Sequence, residues 1–129
     1  MREMDKLVVD SSAWIEYLDG SPEGEKVRKY FKERQLFTPT NCVAEIIARA
    51  IRSGISIELV KTVLNAQSTI VSIDFEIGCH GGILYTELRK QKPKISLSDA
   101  ITLAVTKKLE AKILTFDNDF GGISEAIVL

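Results

Sequence analysis

The chain has 129 residues, 45% of them hydrophobic and 27% charged, which suits one globular domain spanning 1–129 and falls short of two. Its 17 basic and 18 acidic residues leave a formal charge of −1, and that excludes a protein that coats nucleic acid or membrane through bulk positive charge. No run approaches the ~18 apolar residues of a membrane span, and the opening MREMDKLVVDSS offers only Leu7 to Val9 as an apolar stretch, too short for a signal-peptide core.

In chain order, short β-type runs fall at Leu7 to Val9, Leu36 to Thr38, Thr69 to Ile73, Lys112 to Phe116 and Ala126 to Leu129, with helical patterns between most of them. These runs are apolar without alternation, as strands covered on both faces are, so the expected fold is α/β with a parallel sheet between helical layers. The first helix, Ser11 to Asp19, is apolar nearly all round, through Ala13, Trp14, Ile15, Tyr17 and Leu18. Such a helix is either buried or exposes a groove for a partner segment or a second copy. Ser21-Pro22 reads as an N-cap and first helical residue of a helix to about Arg34, which carries Tyr30 and Phe31. Val43, Ile46, Ile47, Ala50 and Ile51 then form the core stripe of a helix whose other side holds Asn41, Glu45, Arg49 and Arg52.

Helical stretches follow near Ile57 to Ala66 and Phe75 to Lys90, the second capped by Asp74 and carrying His80 on its polar side. Ser96-Leu97-Ser98-Asp99 has the form of a capping box and opens a helix to about Glu110. Because that helix must begin at the sheet's upper rim, the Phe75 to Lys90 helix has to lie across the fold or project from it. A core of this size needs no covalent staple. Cys42 and Cys79 match no metal or redox spacing and read as small buried hydrophobes of a reducing compartment.

In βα units the strand C-termini and the first turns of the helices share one rim. Asp10 follows the first strand, Asp117 the fourth, Glu45 lies one turn into the helix after the second strand, and Asp99 lies in the first turn before the fourth. Singly, Asp99 serves as a capping partner, Asp117 with Asn118 and Asp119 as a turn, and Glu45 as an i,i+4 partner of Arg49. Asp10, at the end of a doubly covered strand, has no such ordinary use. Together, within about 5 Å of one another, each pair would repel by roughly 3 kcal/mol at an effective dielectric near ~20. Such a cluster calls for a cation or raised pKa values. All-oxygen donors suit Mg²⁺ or Mn²⁺, whereas a lone histidine and unpaired cysteines argue against zinc.

LVVDSSAWIEYL, Glu45 within TPTNCVAEIIAR, SLSDAITLAVT and ILTFDNDF resemble the successive motifs of PIN-domain ribonucleases, especially VapC-type toxins of toxin–antitoxin pairs, nearly end to end. The resemblance implies a three-layer α/β/α fold with a mainly parallel sheet of order 3-2-1-4-5. It implies a catalytic set of Asp10, Glu45, Asp99 and Asp117, with Asp10, Asp99 and Asp117 as metal ligands. Ser12 and Thr115 take supporting hydroxyl positions and Asp119 an auxiliary one. It further implies metal-assisted hydrolysis of RNA, an antitoxin partner and a homodimer, and the cysteine usage fits a reducing cytoplasm.

Arg89, Lys90, Lys92 and Lys94, crowded before Asp99, are candidates to track an RNA backbone, or are ordinary surface cations. A non-toxin processing nuclease and an inactive RNA-binding scaffold stay open as alternatives. Phosphoryl transfer through an aspartyl nucleophile is disfavoured, because Ser12 stands where a second acid would be needed. P-loop, dinucleotide-glycine and serine-elbow motifs are missing from the sequence.

Overall fold

The computed structural model describes residues 5–129. The expected domain and the stretch inspected for a leader both begin with residues 1–4, outside that range. The elements are β1 (Asp5–Val9), α1 (Ser11–Asp19), α2 (Pro22–Phe31), β2 (Arg34–Pro39), α3 (Thr40–Ser53), α4 (Ile57–Gln67), β3 (Thr69–Val71), α5 (Phe75–Arg89), α6 (Leu97–Leu109), β4 (Lys112–Thr115), a 3₁₀ turn (Asn118–Phe120) and β5 (Ala126–Val128). All strand pairs are parallel, in the order β3-β2-β1-β4-β5, as the motif resemblance implies.

The strand pleat divides the core in two. Leu7, Val9, Leu36 and Leu114 pack on one face with Trp14, Val27, Ile46 and Val60 from α1, α2, α3 and α4. Val8, Phe37 and Ile113 face the other way, against Ile77, Leu103, Val105 and Phe120 from α5, α6 and the 3₁₀ turn. The chain therefore builds outward from β1 to β3 under one helical layer, then returns beyond β1 to β4 under the other. The sheet's topology switches between β1 and β4.

Several element ends differ from the sequence reading for identifiable reasons. The second helix stops at Phe31, because Glu33 takes a left-handed conformation (φ 58°) that turns the chain into β2. The third strand ends at Val71, and Ile73 donates its N–H to Thr40 Oγ1. Strand β4 ends at Thr115, because the Phe116 N–H turns to Ser12 Oγ at 3.0 Å. Within α3 the buried line is Cys42, Ile46 and Ala50, while Ile51, expected in the core, is 60% exposed. Cys42 is buried as expected, but Cys79 is exposed, since α5 rests on α6 through another side.

Helix α5 lies against α6 rather than projecting. Its cap Asp74 accepts from the Ile77 N–H at 2.9 Å and pairs with Lys108, near the end of α6, at 3.3 Å. The two helices are thus antiparallel, and the loop after α5 delivers α6 to the rim. Gly81 permits this approach: a Cβ there would lie 2.8 Å from the Ile101 side chain. His80 is exposed, as expected.

On the opposite face, Ser21 caps α2 by accepting from the Gly24 N–H at 3.0 Å, and Pro22 is the first helical residue. Trp14 is fully buried among Phe31 and Tyr17, and its indole N–H donates to Thr38 Oγ1 at 3.0 Å. Helices α1 and α2 meet so closely at Gly24 that a Cβ would stand 2.3 Å from the Glu16 carbonyl oxygen, a backbone atom with little room to retreat. Gly24→Ala is expected to lower stability by about 1–3 kcal/mol, read as a lower urea midpoint at unchanged slope. An unchanged midpoint would show that the two helices are not held at this distance.

Candidate active site

In an open parallel sheet the crevice beyond the strand C-termini, at the topological switch, is where ligands bind. Here that crevice receives Asp10 from β1, Asp117 and Asp119 from beyond β4, Asp99 from the first turn of α6 and Glu45 from the second turn of α3. Burial is the main cause that raises the pKa values of Asp10, Glu45 and Asp99, and neighbouring acids add to it: Asp99 for Asp10, Asp10 and Asp99 for Glu45, and Asp117 and Asp119 for Asp99. Among the described residues none of these five acids makes an ion pair with a lysine or arginine.

Asp10 is only 4% exposed. It stands at the N-cap of α1, yet its carboxylate does not cap that helix. Instead Oδ2 accepts from Thr115 Oγ1 at 2.8 Å and from Ser12 Oγ at 3.3 Å. Thr115 in turn accepts from the Asp117 N–H at 2.9 Å. The two hydroxyls singled out in the sequence thus join the ends of β1 and β4 directly at the acid cluster. Burial raises the pKa of Asp10, these hydrogen bonds lower it, and Asp99 adds to the rise.

The remaining acids follow one pattern. Glu45 Oε1 accepts from Ser98 Oγ at 3.1 Å. Asp99 Oδ2 accepts from the Ser96 N–H at 3.0 Å, completing the expected capping box. Asp117 Oδ1 accepts from the Asp119 N–H at 2.8 Å, the turn read from the sequence. The carboxylates of Asp10, Glu45, Asp99 and Asp117 each commit one oxygen to a neighbouring donor, whereas Asp119 takes part through its N–H. The second oxygen enters no comparable hydrogen bond among the described residues, the nearest being a long 3.8 Å approach of Cys42 Sγ to Asp10 Oδ1. The i,i+4 ion pair of Glu45 with Arg49 does not form, because Glu45 turns to α6 instead.

The capping and turn uses of Asp99 and Asp117 therefore coexist with membership of the cluster. No three acids, histidines or cysteines among the described residues stand close enough to grip one metal ion between them. The donor chemistry nevertheless fits a small hard cation, which keeps several of its own waters and needs only one or two direct carboxylates.

Three side chains that the sequence reading left without a role belong to this site. Asn41 Nδ2 lies 3.0 Å from the Ser98 carbonyl, 2.9 Å from Ser98 Oγ and 3.1 Å from Thr102 Oγ1. Thr102 Oγ1 also lies 3.3 Å from Cys42 Sγ, whose thiol pKa is raised well above 9.0 by burial and then by Asp10. The one-turn spacings Asn41/Glu45 and Ser98/Thr102 were the available signal. The basic loop is partly engaged: Arg89 donates to Tyr85 Oη at 2.8 Å, Lys90 pairs with Glu87 at 3.3 Å, and Lys92 donates to the Gly121 carbonyl beyond Asp117. Lys94 is exposed.

A sequence profile described as PIN domain matches residues 7–126, and the chain belongs to the PIN domain family. Its fold is similar to that of a toxin-antitoxin complex from Klebsiella pneumoniae, with TM-score 0.76 and 19% identity over 95% of this chain and 96% of that one. It is also similar to VapC20 from Mycobacterium tuberculosis, described as a sarcin-ricin loop cleaving toxin (TM-score 0.73, 14% identity, 92% and 95% covered). VapBC-1 from nontypeable Haemophilus influenzae gives TM-score 0.71 at 21% identity, with 96% of each chain covered. Among curated proteins, none matches the chain by sequence.

A carboxyl whose folded-state pKa is raised binds its proton more tightly in the folded chain than in the unfolded one. Its contribution to stability is thus lost as pH rises from the ordinary value, 4.5 for a glutamate, through the raised one. Glu45→Gln removes that loss while keeping an acceptor for Ser98. In chelator the variant is expected to melt slightly above the wild type at pH 7, by a margin that the solvent exposure of Glu45 keeps small, and together with it at pH 4. Equal melting at both values would show that neither desolvation nor the neighbouring acids raise the Glu45 pKa.

Proposed function

We propose that this chain is a Mg²⁺- or Mn²⁺-dependent endoribonuclease, acting in the cytoplasm as the toxin of a toxin–antitoxin pair. The observation that carries this reading is the carboxylate cluster: Asp10, Glu45, Asp99 and Asp117 are each held by one oxygen to a neutral donor, and no lysine or arginine among the described residues forms an ion pair with the group. Of Asp10, Asp99 and Asp117, one or two would hold the ion directly and the rest through its waters, with Glu45 completing that outer set or orienting the attacking water. When bound, the ion supplies Lewis acidity at a phosphodiester oxygen and acidifies a water towards neutral pH.

The chain's own contribution is positional. Thr115 and Ser12 fix Asp10 from the Oδ2 side, the α6 capping box fixes Asp99, and the turn at Asp119 fixes Asp117. Because these donors are neutral, they hold the acids without cancelling their charge. Without a cation that charge would repel a phosphate. Arg89, Lys90, Lys92 and Lys94 surround the approach to α6 and supply the local positive field that a chain of net charge −1 otherwise lacks.

Partner binding has two candidate surfaces. A concavity of about 310 Å³ between α1, α2 and α4 is lined by Tyr17, Leu18, Leu59 and Val63, with Arg28 and Glu25 at its edge. An antitoxin segment with an apolar face suits it. On α5, Phe75 and Ile83 are 79% and 64% exposed and offer apolar surface to a second copy of the chain.

Cleavage of single-stranded RNA is expected to fall to background in chelator, to return with Mn²⁺, and to be absent from Asp10→Asn and Asp99→Asn proteins whose circular dichroism matches the wild type. Full turnover by either folded variant, or in chelator, would refute the metal mechanism. Co-expression with the adjacent reading frame should yield a complex in which cleavage is suppressed. Leu59→Glu in the concavity should abolish that complex while leaving the free chain's cleavage intact.

A further inference from the structure

Asn41 occupies the first turn of α3, one turn before Glu45, and Ser98 and Thr102 lie one turn apart on α6. The protons between them can be counted. Thr102 donates its hydroxyl proton to the Ser98 carbonyl at 3.0 Å, and Ser98 donates its own to Glu45 Oε1 at 3.1 Å. Towards Asn41, therefore, both hydroxyls and the carbonyl can only accept. The amide has to present its nitrogen to all three, at 2.9–3.1 Å, because turning it over would set its oxygen against three acceptors.

The consequence is visible on the other side of the amide. Asn41 Oδ1 is buried and is the one buried side-chain nitrogen or oxygen among the described residues without a hydrogen-bond partner. An orphaned buried carbonyl is costly, and an apolar residue at this position would avoid the cost. Without Asn41 the Ser98 carbonyl would still accept from Thr102, and the Ser98 hydroxyl would still have Glu45 as an acceptor. Its amide thus adds little that the packing of α3 against α6 requires. What it does is close the other orientation of the Ser98 hydroxyl: with an amide N–H on the Ser98 oxygen, that proton has no acceptor towards Asn41 and stays on Glu45.

We propose that Asn41 and Ser98 are a positioning pair for Glu45, which hold Oε1 from the α6 side and leave Oε2 for the divalent cation or its water. The inference rests on the metal-dependent reading above. Both are tested on the full chain by titrating Mn²⁺ calorimetrically and by separating kcat from KM on single-stranded RNA. Ser98→Ala and Asn41→Leu are each expected to weaken Mn²⁺ binding about 10-fold and to lower kcat with little change in KM, while melting close to the wild type. Ser98→Thr, which keeps the hydroxyl, is expected to restore both quantities.

In a Glu45→Ala background, Ser98→Ala is expected to have no further effect on either measurement, since its partner is already gone. Losses that simply add in that background would overturn the pairing while leaving the nuclease reading standing. So would wild-type Mn²⁺ affinity in both single variants. If Asn41→Leu does not fold, the Ser98 and Glu45 cycle decides by itself. A wild-type chain that neither binds Mn²⁺ nor cleaves RNA would remove the functional reading, and this inference with it.

Discussion

Burial of carboxylates along one rim of the sheet, to which their mutual repulsion adds, is the constraint around which this molecule is organised. Parallel strands bring all their C-termini to the same edge, and here that edge collects Asp10, Glu45, Asp99, Asp117 and Asp119. Burial raises the pKa values of Asp10, Glu45 and Asp99, and neighbouring acids push the same way. Packing of two hydrophobic layers supplies the free energy that holds such an arrangement together. The buried strands β1 and β4 deliver two of the acids, and α3 and α6 deliver two more.

The fold answers that repulsion with neutral donors rather than with cations. Ser12, Thr115 and Ser98, the Ser96 N–H and the Asp119 N–H each take one carboxylate oxygen. A lysine or arginine in the same places would stabilise the charges more strongly and would also consume them. Hydroxyls and amides fix geometry at a smaller electrostatic gain and leave the negative charge in place. The raised pKa values and the orphaned Asn41 oxygen are both local costs, which the packing of the two hydrophobic layers offsets.

Much of the lysine and arginine charge instead serves the frame. Lys108 ties the end of α6 to the cap of α5, Lys107 pairs with Glu125 before β5, and Lys92 links the loop ahead of α6 to Gly121 beyond Asp117. That last bond joins the segments carrying Asp99 and Asp117. The antiparallel α5–α6 pair, made possible by Gly81, brings the basic loop and the α6 N-terminus to the rim together.

The α/β alternation, the parallel sheet, the capping box at Ser96–Asp99 and the acid-bearing ends of the strands were legible in the sequence because each is a local signal: apolar runs of strand length, a cap three residues from its partner, a charge where an apolar run stops. Burial of individual residues was less so. Ile51 fits the stripe of α3 but faces out, and Cys79 lies in an apolar stretch yet is exposed, because a helix's period says which residues share a side and not which side meets a neighbour. Glu45 was four residues from Arg49, but α6 offered Ser98. Asn41, Ser98 and Thr102 form a network across 57 and 61 positions of chain, and no spacing rule within one helix reaches that far. Sequence alone thus determined which acids arrive at the rim, since strand ends and helix starts are fixed locally. Only the tertiary structure decided which oxygen of each is held and by whom, since that depends on how two helical layers, built far apart in the chain, meet across the sheet.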